Sequence, residues 1–280
     1  ITLGGAYNCE YIQAGNVRNR GLELTVGYNK KWTDSRWSVN MSYSMNHNRI
    51  VRLLDNPNET LRQGGLNGCE VILTQGGTMG DLYTFTGFKR NQQGDIQVNA
   101  DGQVMQIELP TPRLVGSVLP KAHLGLNNTF SWKGLECRLL ITARLGGVCV
   151  SQTQAFMDSY GVSQKTATQR DNGGVVVGSQ YVPTERYYTV VGGETPIWDE
   201  YVYDASNVRI KEVYLSYTFD KLIRGAKVSV ALTARNLLML YCKAPFDPEA
   251  TPSTDIYYQG FDYFMQPSQR SLGFSINVKL

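Results

Sequence analysis

The sequence predicts an all-β fold, an antiparallel up-and-down transmembrane β-barrel. Three observations predict it. Stretches of about ten residues alternate between apolar and polar side chains, close to the roughly 9–11 residues of a tilted membrane-crossing strand. Short and long connections alternate between those stretches. Aromatic residues stand beside the short ones. The last stretch shows the pattern well: Leu272, Phe274, Ile276, Val278 and Leu280 alternate with Ser271, Gly273, Ser275, Asn277 and Lys279. A period of two gives a strand one apolar and one polar face.

Composition agrees. The chain has 280 residues, with 28 Gly and 17 Tyr, 42% hydrophobic and 18% charged residues. Those values suit a large all-β architecture and do not suggest disorder. No apolar run approaches the roughly 18 residues of a spanning helix. A mean hydropathy of -0.28 still admits a barrel, because barrel strands alternate. The net charge of +3 is too small to argue for nucleic acid. Five Cys, an odd number, do not suggest a full disulfide framework. The chain opens on Ile1 with neither Met nor signal peptide, which reads as a fragment whose front end is missing.

In chain order, residues 1–20 are Gly- and Asn-rich and read as a loop. Leu22, Leu24, Val26 and Tyr28 then alternate with polar neighbours, and a short turn covers 30–36. Trp37, Val39, Met41, Tyr43 and Met45 form the cleanest strand, against Ser38, Asn40, Ser42, Ser44 and Asn46. Residues 52–80 read as a long loop marked by Asn56-Pro57. A weaker strand covers Asp81–Lys89, and 91–120 is ambiguous, with a turn at Asn99–Gly102 and Pro110, Pro112 and Pro120 breaking regular structure.

Alternation returns at Leu124, Leu126, Phe130 and Trp132, with Asn128 the one polar residue on the apolar face. Lys133-Gly134 is a tight turn, and Leu135, Cys137, Leu139, Ile141, Ala143 and Leu145 follow. Residues 150–205 read as the longest irregular region. Asn207–Phe219 and Val228–Arg235 are strands about a turn at 220–226, and a third long loop, 241–269, leads to the last strand. The count is eight clear strands including 81–89, and parity asks for a ninth within 91–120.

The short connections are 30–36, 133–134 and 220–226, where Trp37, Trp132, Tyr217 and Phe219 would form an interfacial girdle. Met41, Tyr43, Leu139, Ile141, Leu232 and Phe274 are expected to face lipid. Asn40 and Ser42 are expected to face a lumen, with the charged residues Glu23, Arg138, Arg144 and Arg235. A polar lumen tolerates charges that a packed core would have to pair. A soluble β-sandwich or propeller with one wet face per sheet is the competing reading.

Catalytic and metal chemistry have weak footing. Gln97, Asn99, Asp101, Gly102 and Glu108 match EF-hand positions, but Gln in the first removes a key charge, so a hairpin turn is preferred. His47 and His123 lack ligand spacing, and no nucleophile elbow, Walker motif or nucleotide fingerprint occurs. No cofactor, metal or catalytic residue is assigned. Cys137 shares its face with Leu139 and Ile141 and is expected to face lipid. Cys9, Cys69 and Cys242 lie in loops, with pairing unassigned. Trp198, Tyr257, Tyr258 and Phe261 in the long loops could stack on a substrate or pack on a partner, or pack within the loops.

Several segments resemble one family. Asn16-Val17-Arg18-Asn19-Arg20-Gly21-Leu22-Glu23-Leu24 is similar to the N-x-G-x-E-L opening of a late strand in SusC/RagA-type TonB-dependent outer-membrane transporters. Leu119-Pro120-Lys121 through Lys133-Gly134-Leu135 resembles their NPK…F-x-x-K-G-F strand and turn. Asp204–Thr218 resembles DASFLRLKNVTLGYT, Ala234–Leu237 resembles SGQNL, and Phe246–Glu249 resembles YDPE. Order and spacing hold along essentially the whole chain. The chain ends on Leu280 where the family has Phe, and 220–226 lacks the family's Pro.

The resemblance implies that residues 1–280 are the C-terminal portion of a larger barrel, with plug domain and early strands absent. It implies TonB-dependent import of a nutrient such as a glycan or peptide across the bacterial outer membrane. The implied partners are a SusD-like surface lipoprotein, membrane lipid and, through the missing N-terminal part, the TonB complex. Residues 150–205 and 241–269 would lie outside the cell and meet substrate or lipoprotein. A passive porin and a surface adhesin or lectin-like module are the alternatives.

Overall fold

A computed structural model describes residues 15–53, 60–223, 226–253 and 257–279. Cys9, Asn56-Pro57 and Leu280 lie outside the described residues.

The alternating stretches form one antiparallel wall. β1 (Asn16–Lys31) pairs with β2 (Ser35–Arg52), putting Leu22, Leu24 and Val26 opposite Met45, Tyr43 and Met41. β1 begins inside the stretch read as loop, because its rim residues Asn16–Arg20 carry no apolar alternation.

The chain then leaves the wall. β3 (Leu61–Leu66), β4 (Cys69–Leu73), β5 (Asp81–Phe88) and β6 (Gln106–Ser117) form a separate four-stranded sheet. This corrects the strand count: 81–89 and 91–120 are not membrane crossings. β5 has no exposed residue: Leu82 and Thr84 are fully buried on one face and Tyr83 and Phe85 half-buried on the other, unlike a strand between lipid and water. Pro110 and Pro112 sit inside β6 without ending it. β6 is an edge strand, and its pairing jumps from Thr84↔Arg113 to Thr86↔Glu108, so both prolines fall in the bulge. Between β5 and β6, Asn99 Oδ1 accepts from the N–H groups of Asp101 and Gln103 at 3.0 and 2.8 Å, and the turn at Asn99–Gly102 forms.

The wall resumes with β7 (Ala122–Trp132) and β8 (Leu135–Leu145). Lys133 and Gly134 have φ of 44° and 87°, both left-handed, as a two-residue hairpin matched to strand twist requires. A Cβ on Gly134 would lie 2.6 Å from the Thr218 carbonyl oxygen.

A second insertion follows: β9 (Val148–Ser151), α1 (Gln152–Ser159), α2 (Gln164–Asp171), the hairpin β10 (Val175–Val177) and β11 (Gln180–Val182), α3 (Thr184–Val191), a 3-10 turn (Trp198–Tyr201) and β12 (Val202–Asp204). The region read as irregular is thus largely regular. Two of the three helices start on side-chain caps: Ser151 accepts from Gln154 N–H at 2.9 Å and Ser163 from Thr166 N–H at 3.1 Å.

β13 (Asn207–Ile223) and β14 (Ala226–Cys242) return to the wall. The third insertion contributes β15 (Phe261–Asp262), and β16 (Ser271–Lys279) completes the sheet. The wall therefore has seven strands, not eight or nine, in the order β1-β2-β7-β8-β13-β14-β16. Each strand lies beside the next wall strand in sequence, as in an up-and-down barrel. The free edges belong to β1 and β16.

The buried core lies in the insertions. Leu82 and Val118 of the first, Val150, Trp198 and Tyr201 of the second and Phe261 of the third join one cluster. β9 pairs with β12 and, in parallel, with β15, so the second and third insertions share a sheet. Thr86 Oγ1 donates to Pro196 O at 2.7 Å and ties the first insertion to the second.

Candidate functional site

The register sorts the wall's side chains. On one face Met41 meets Leu126, Leu126 meets Ile141, Leu215 meets Cys137 and Leu232, and Leu232 meets Phe274. This apolar face runs across all seven strands, and most of its large side chains are exposed. Exposed apolar surface on that scale belongs against lipid. Asn128 is its polar exception, and the Trp37 indole N–H donates to Asn128 Oδ1 at 3.1 Å. That bond pairs the Asn128 carbonyl oxygen with a neighbouring strand, as hydrocarbon favours. Cys137 is on this face with a free thiol.

Trp37, Trp132, Tyr217 and Phe219 gather at the short-turn end. Tyr28 meets Trp37 edge-on at 5.8 Å, Tyr217 meets Phe219 at 4.7 Å, and Lys133 Nζ lies 5.8 Å from the Trp132 ring. Rings with one apolar and one wet side suit a membrane interface.

The opposite face is polar. Glu23 pairs across with Ser44, Arg138 with Thr129 and Tyr214, Arg144 with His123 and Asn207, and Arg235 with Glu212 and Ser271. The four charged residues thus share one face. Arg138 binds the Glu136 carboxylate, with its guanidinium 4.6 Å from the Tyr214 centroid. Arg235 Nε donates to Glu212 Oε2 at 3.1 Å, and Arg144 Nη2 to Val118 O at 2.7 Å.

Sequence reading missed the most buried charge pair. Arg209, on the polar face of β13, donates through Nη2 and Nη1 to Asp247 Oδ1 and Oδ2 at 2.7 and 3.2 Å. Both side chains are less than a tenth exposed. Arg209 Nε donates to Asn207 Oδ1 at 3.1 Å, Glu249 Oε2 lies 3.5 Å away, and Ser268 Oγ donates to Asp247. Burial pushes the Asp247 carboxyl up, but its hydrogen bonds from Arg209, Ser268 and the Glu249 N–H outweigh burial and hold it below its ordinary value. The two ends of this clamp fall in two of the quoted motifs, Asp204–Thr218 and Phe246–Glu249. Their complementary charges were the available signal.

At the rim, where β2, β7 and β8 meet the insertions, a cleft of about 810 Å³ opens. Asn48, Lys121, Tyr203 and Asp204 line it. Asn48 Oδ1 accepts from Met79 N–H at 2.8 Å, and its Nδ2 donates to Asn19 Oδ1 at 2.9 Å. Asp204 Oδ1 accepts from Ser206 Oγ and N–H at 2.6 and 2.9 Å, bonds that hold its carboxyl below its ordinary range, with Lys243 adding to them. The cleft presents fixed donors, a carboxylate and an ammonium to whatever passes the rim.

The loop aromatics divide. Trp198 is 0% exposed, and its indole N–H donates to Asn67 O at 3.0 Å. Phe261 is 2% exposed, and Tyr257 packs against the same core. Burial removes Trp198 and Phe261 from contact with substrate or partner in this conformation. Tyr258 keeps an exposed face, 6.4 Å from the Phe261 ring.

No protein-family profile matches the chain. It is 24% identical over 296 residues to TonB-dependent receptor P3 of Formosa agariphila, covering 95% of this chain and 29% of that protein. It is 24% identical over 308 residues to TonB-dependent receptor P26 of the same organism, covering 97% of this chain and 30% of that protein. The chain therefore spans about three-tenths of the curated relatives it matches. Its fold matches the RagAB peptide importer in the closed-closed state with a TM-score of 0.65 at 18% identity, over 96% of this chain and 30% of that one. The open-open state gives 0.64 at 15% identity, over 95% of this chain and 29% of that one. None of these is named as an enzyme. Along nearly all its length the chain is similar to TonB-dependent receptors, and its fold matches the corresponding part of RagAB.

Proposed function

We infer that residues 1–280 form the C-terminal portion of an outer-membrane import barrel. Its polar face lines the lumen and its insertions stand outside the cell. The observation that carries this reading is the arrangement of the wall. Seven strands keep one apolar face, broken in the segments named above by Asn128, short turns gather at one end, and the three insertions fold together at the other. Glu23, Arg138, Arg144 and Arg235 then set the charge of the lumen wall. Tyr258 and the rim cleft are the surfaces placed to meet cargo or a partner.

The cargo is a nutrient such as a peptide or glycan, and a SusD-like surface lipoprotein caps the insertions. Support comes from the fold likeness to RagAB, which is described as a peptide importer. TonB supplies the energy through parts of the protein outside these 280 residues.

Uptake by cells carrying the full-length receptor tests the reading. Labelled oligopeptide or oligosaccharide is expected to enter cells with TonB and not cells without it. Uptake that persists without TonB would make the barrel a passive porin. Protease added to intact cells is expected to cut within the insertions and to spare the turns at 32–34 and 133–134. Cleavage at those turns instead would invert the topology.

A further inference from the structure

The apolar face of the wall ends differently on β1 and β2 than on its other strands. Its side chains pair across these two strands as Tyr28↔Val39, Val26↔Met41, Leu24↔Tyr43 and Leu22↔Met45. Toward the insertions the same face continues as Arg20↔His47 and Arg18↔Arg49. Asn19, between the two arginines of β1, lies on the opposite face, where its Oδ1 accepts from Asn46 and Asn48 Nδ2 at 3.2 and 2.9 Å. Arg18, Arg20 and Arg49 are all exposed. No carboxylate pairs with any of them among the described residues. Arg18 and Arg49 stand directly opposite each other, where like charges repel. On the same face β7, β8, β13 and β14 end toward the insertions with Ala122, Leu145, Val208 and Tyr241, all uncharged. The cationic cluster is therefore a property of this corner, not of every strand end.

Depth gives the cluster a second meaning. Lys30 pairs with Trp37 in the girdle at the short-turn end. The ten residues from Lys30 to Arg20 rise about 25 Å, at about 3.4 Å per residue and a tilt of about 40°. The apolar band of a transmembrane barrel is also about 25 Å tall. Arg20 thus stands at the far edge of the hydrocarbon. Arg18 and Arg49 lie about 5 Å beyond it, inside a headgroup layer of about 5–8 Å.

We propose, on the barrel reading above, that Arg18, Arg20 and Arg49 dock a lipid whose headgroup carries a phosphate monoester. The phosphate sits among the three guanidinium groups, and the acyl chains run down along Leu22, Leu24 and Met45. A guanidinium fork meets two phosphate oxygens at once, which an ammonium cannot do. A monoester brings about two negative charges and three free oxygens, enough to offset the Arg18–Arg49 repulsion. A phosphodiester brings about one charge and fewer oxygens. An acidic protein would have to reach the same arginines through the lipid flank of the wall.

Native mass spectrometry of the detergent-solubilised full-length receptor tests it. The probes are diphosphoryl lipid A, the same lipid stripped of its phosphates, phosphatidylglycerol and inorganic phosphate. Diphosphoryl lipid A is expected to bind saturably, about tenfold or more tighter than the other three. Arg18→Gln, Arg20→Gln and Arg49→Gln combined are expected to weaken that binding about tenfold. Arg18→Lys, Arg20→Lys and Arg49→Lys combined keep the charge, lose the fork and are expected to weaken it severalfold. Lys30→Gln with Lys133→Gln, at the other end of the wall, is expected to leave it unchanged. All five side chains are exposed, so these changes do not threaten folding. Equal binding of the stripped lipid, of phosphatidylglycerol or of inorganic phosphate would overturn the proposal. So would lipid A binding indifferent to the combined Gln changes. Heat-modifiable gel mobility of the same preparation reports the barrel separately. A barrel that forms without binding lipid A defeats the docking surface alone, and a receptor with no heat-modifiable form defeats the barrel reading and the docking surface with it.

Discussion

The wall and the insertions use the same residue types to opposite ends. Trp132, on the wall, is 50% exposed, and Trp198, in the second insertion, is 0% exposed. Phe274 on β16 stands in the open, while Phe261 on β15 is buried under the first insertion. The wall satisfies its backbone between strands and sends its apolar side chains outward, where lipid replaces a protein core. The insertions lie off the wall and build a water-excluding core of their own. An aromatic residue therefore means lipid contact in one region and packing in the other. Its place in a strand period, not its identity, tells which.

The contrast can be broken most severely at the clamp between the two regions. Arg209→Ala leaves Asp247 buried without its partner, and the expected loss is about 3–5 kcal/mol. Denaturant unfolding of the full-length receptor measures it. The exposed pair on the same polar face is the control: Arg138→Ala is expected to cost about 0–1 kcal/mol. Equal losses would mean that the third insertion is not fastened to the wall through Arg209.

Core and wall differ next. Trp198→Ala removes a fully buried ring and is expected to cost about 3–5 kcal/mol, read as a lowered midpoint for the insertions. Tyr258→Ala, on a partly exposed face, is expected to stay within about 0.5 kcal/mol. On the wall, Ile141→Arg is expected to cost about 2–4 kcal/mol near the bilayer midplane. Thr142→Arg, one residue on and on the polar face, is expected to be nearly neutral. Two equal wall results would remove the distinction between faces. Phe274→Asp is expected to lower the yield of heat-modifiable barrel in outer-membrane fractions of cells making the full-length receptor. Normal yield would separate that face from lipid.

Acid gives the smallest and most local effect. The Asp247 carboxyl is held below its ordinary value, so its contribution to stability is complete above the usual aspartate range near pH 4. It is lost as pH falls through the depressed folded value. Protease sensitivity of residues 243–270 is expected to rise over that acid window and to stay flat from pH 5 to 8. A rise near neutrality would point to a different fastening.

What could be read from sequence follows the same division. The seven wall strands were legible because each needs one face for lipid and one for water, which writes a period of two directly into residues such as Met41–Asn46. The two faces, the tight Lys133-Gly134 turn and the girdle follow from that period. The insertions carry no such signal. β5 is buried on one side and half-buried on the other, so Asp81–Phe88 looked like a weak crossing and inflated the strand count. β6 tolerates Pro110 and Pro112 only because a bulge on an edge strand leaves those positions out of the ladder.

The helices of the second insertion were missed because only two of them start on side-chain caps and their faces carry no period. Ser151 and Ser163 cap α1 and α2 in the structure, but QTQAFMDS and QKTATQRD have too few apolar residues to show a helical period. The polar-face charges Glu23, Arg138, Arg144 and Arg235 could be placed by parity alone. The Arg209–Asp247 clamp could not, because its halves are 38 residues apart and meet only when the third insertion folds back.

The central claim is that the wall's two faces meet different solvents. Spin labels on Met41→Cys, Ser42→Cys, Tyr43→Cys and Ser44→Cys, placed one at a time in the full-length receptor in outer membranes, measure this directly. Collision with molecular oxygen reports lipid, and collision with a water-soluble nickel chelate reports water. The account predicts strict alternation, with positions 41 and 43 oxygen-accessible and positions 42 and 44 chelate-accessible. Equal chelate access at all four positions would contradict it.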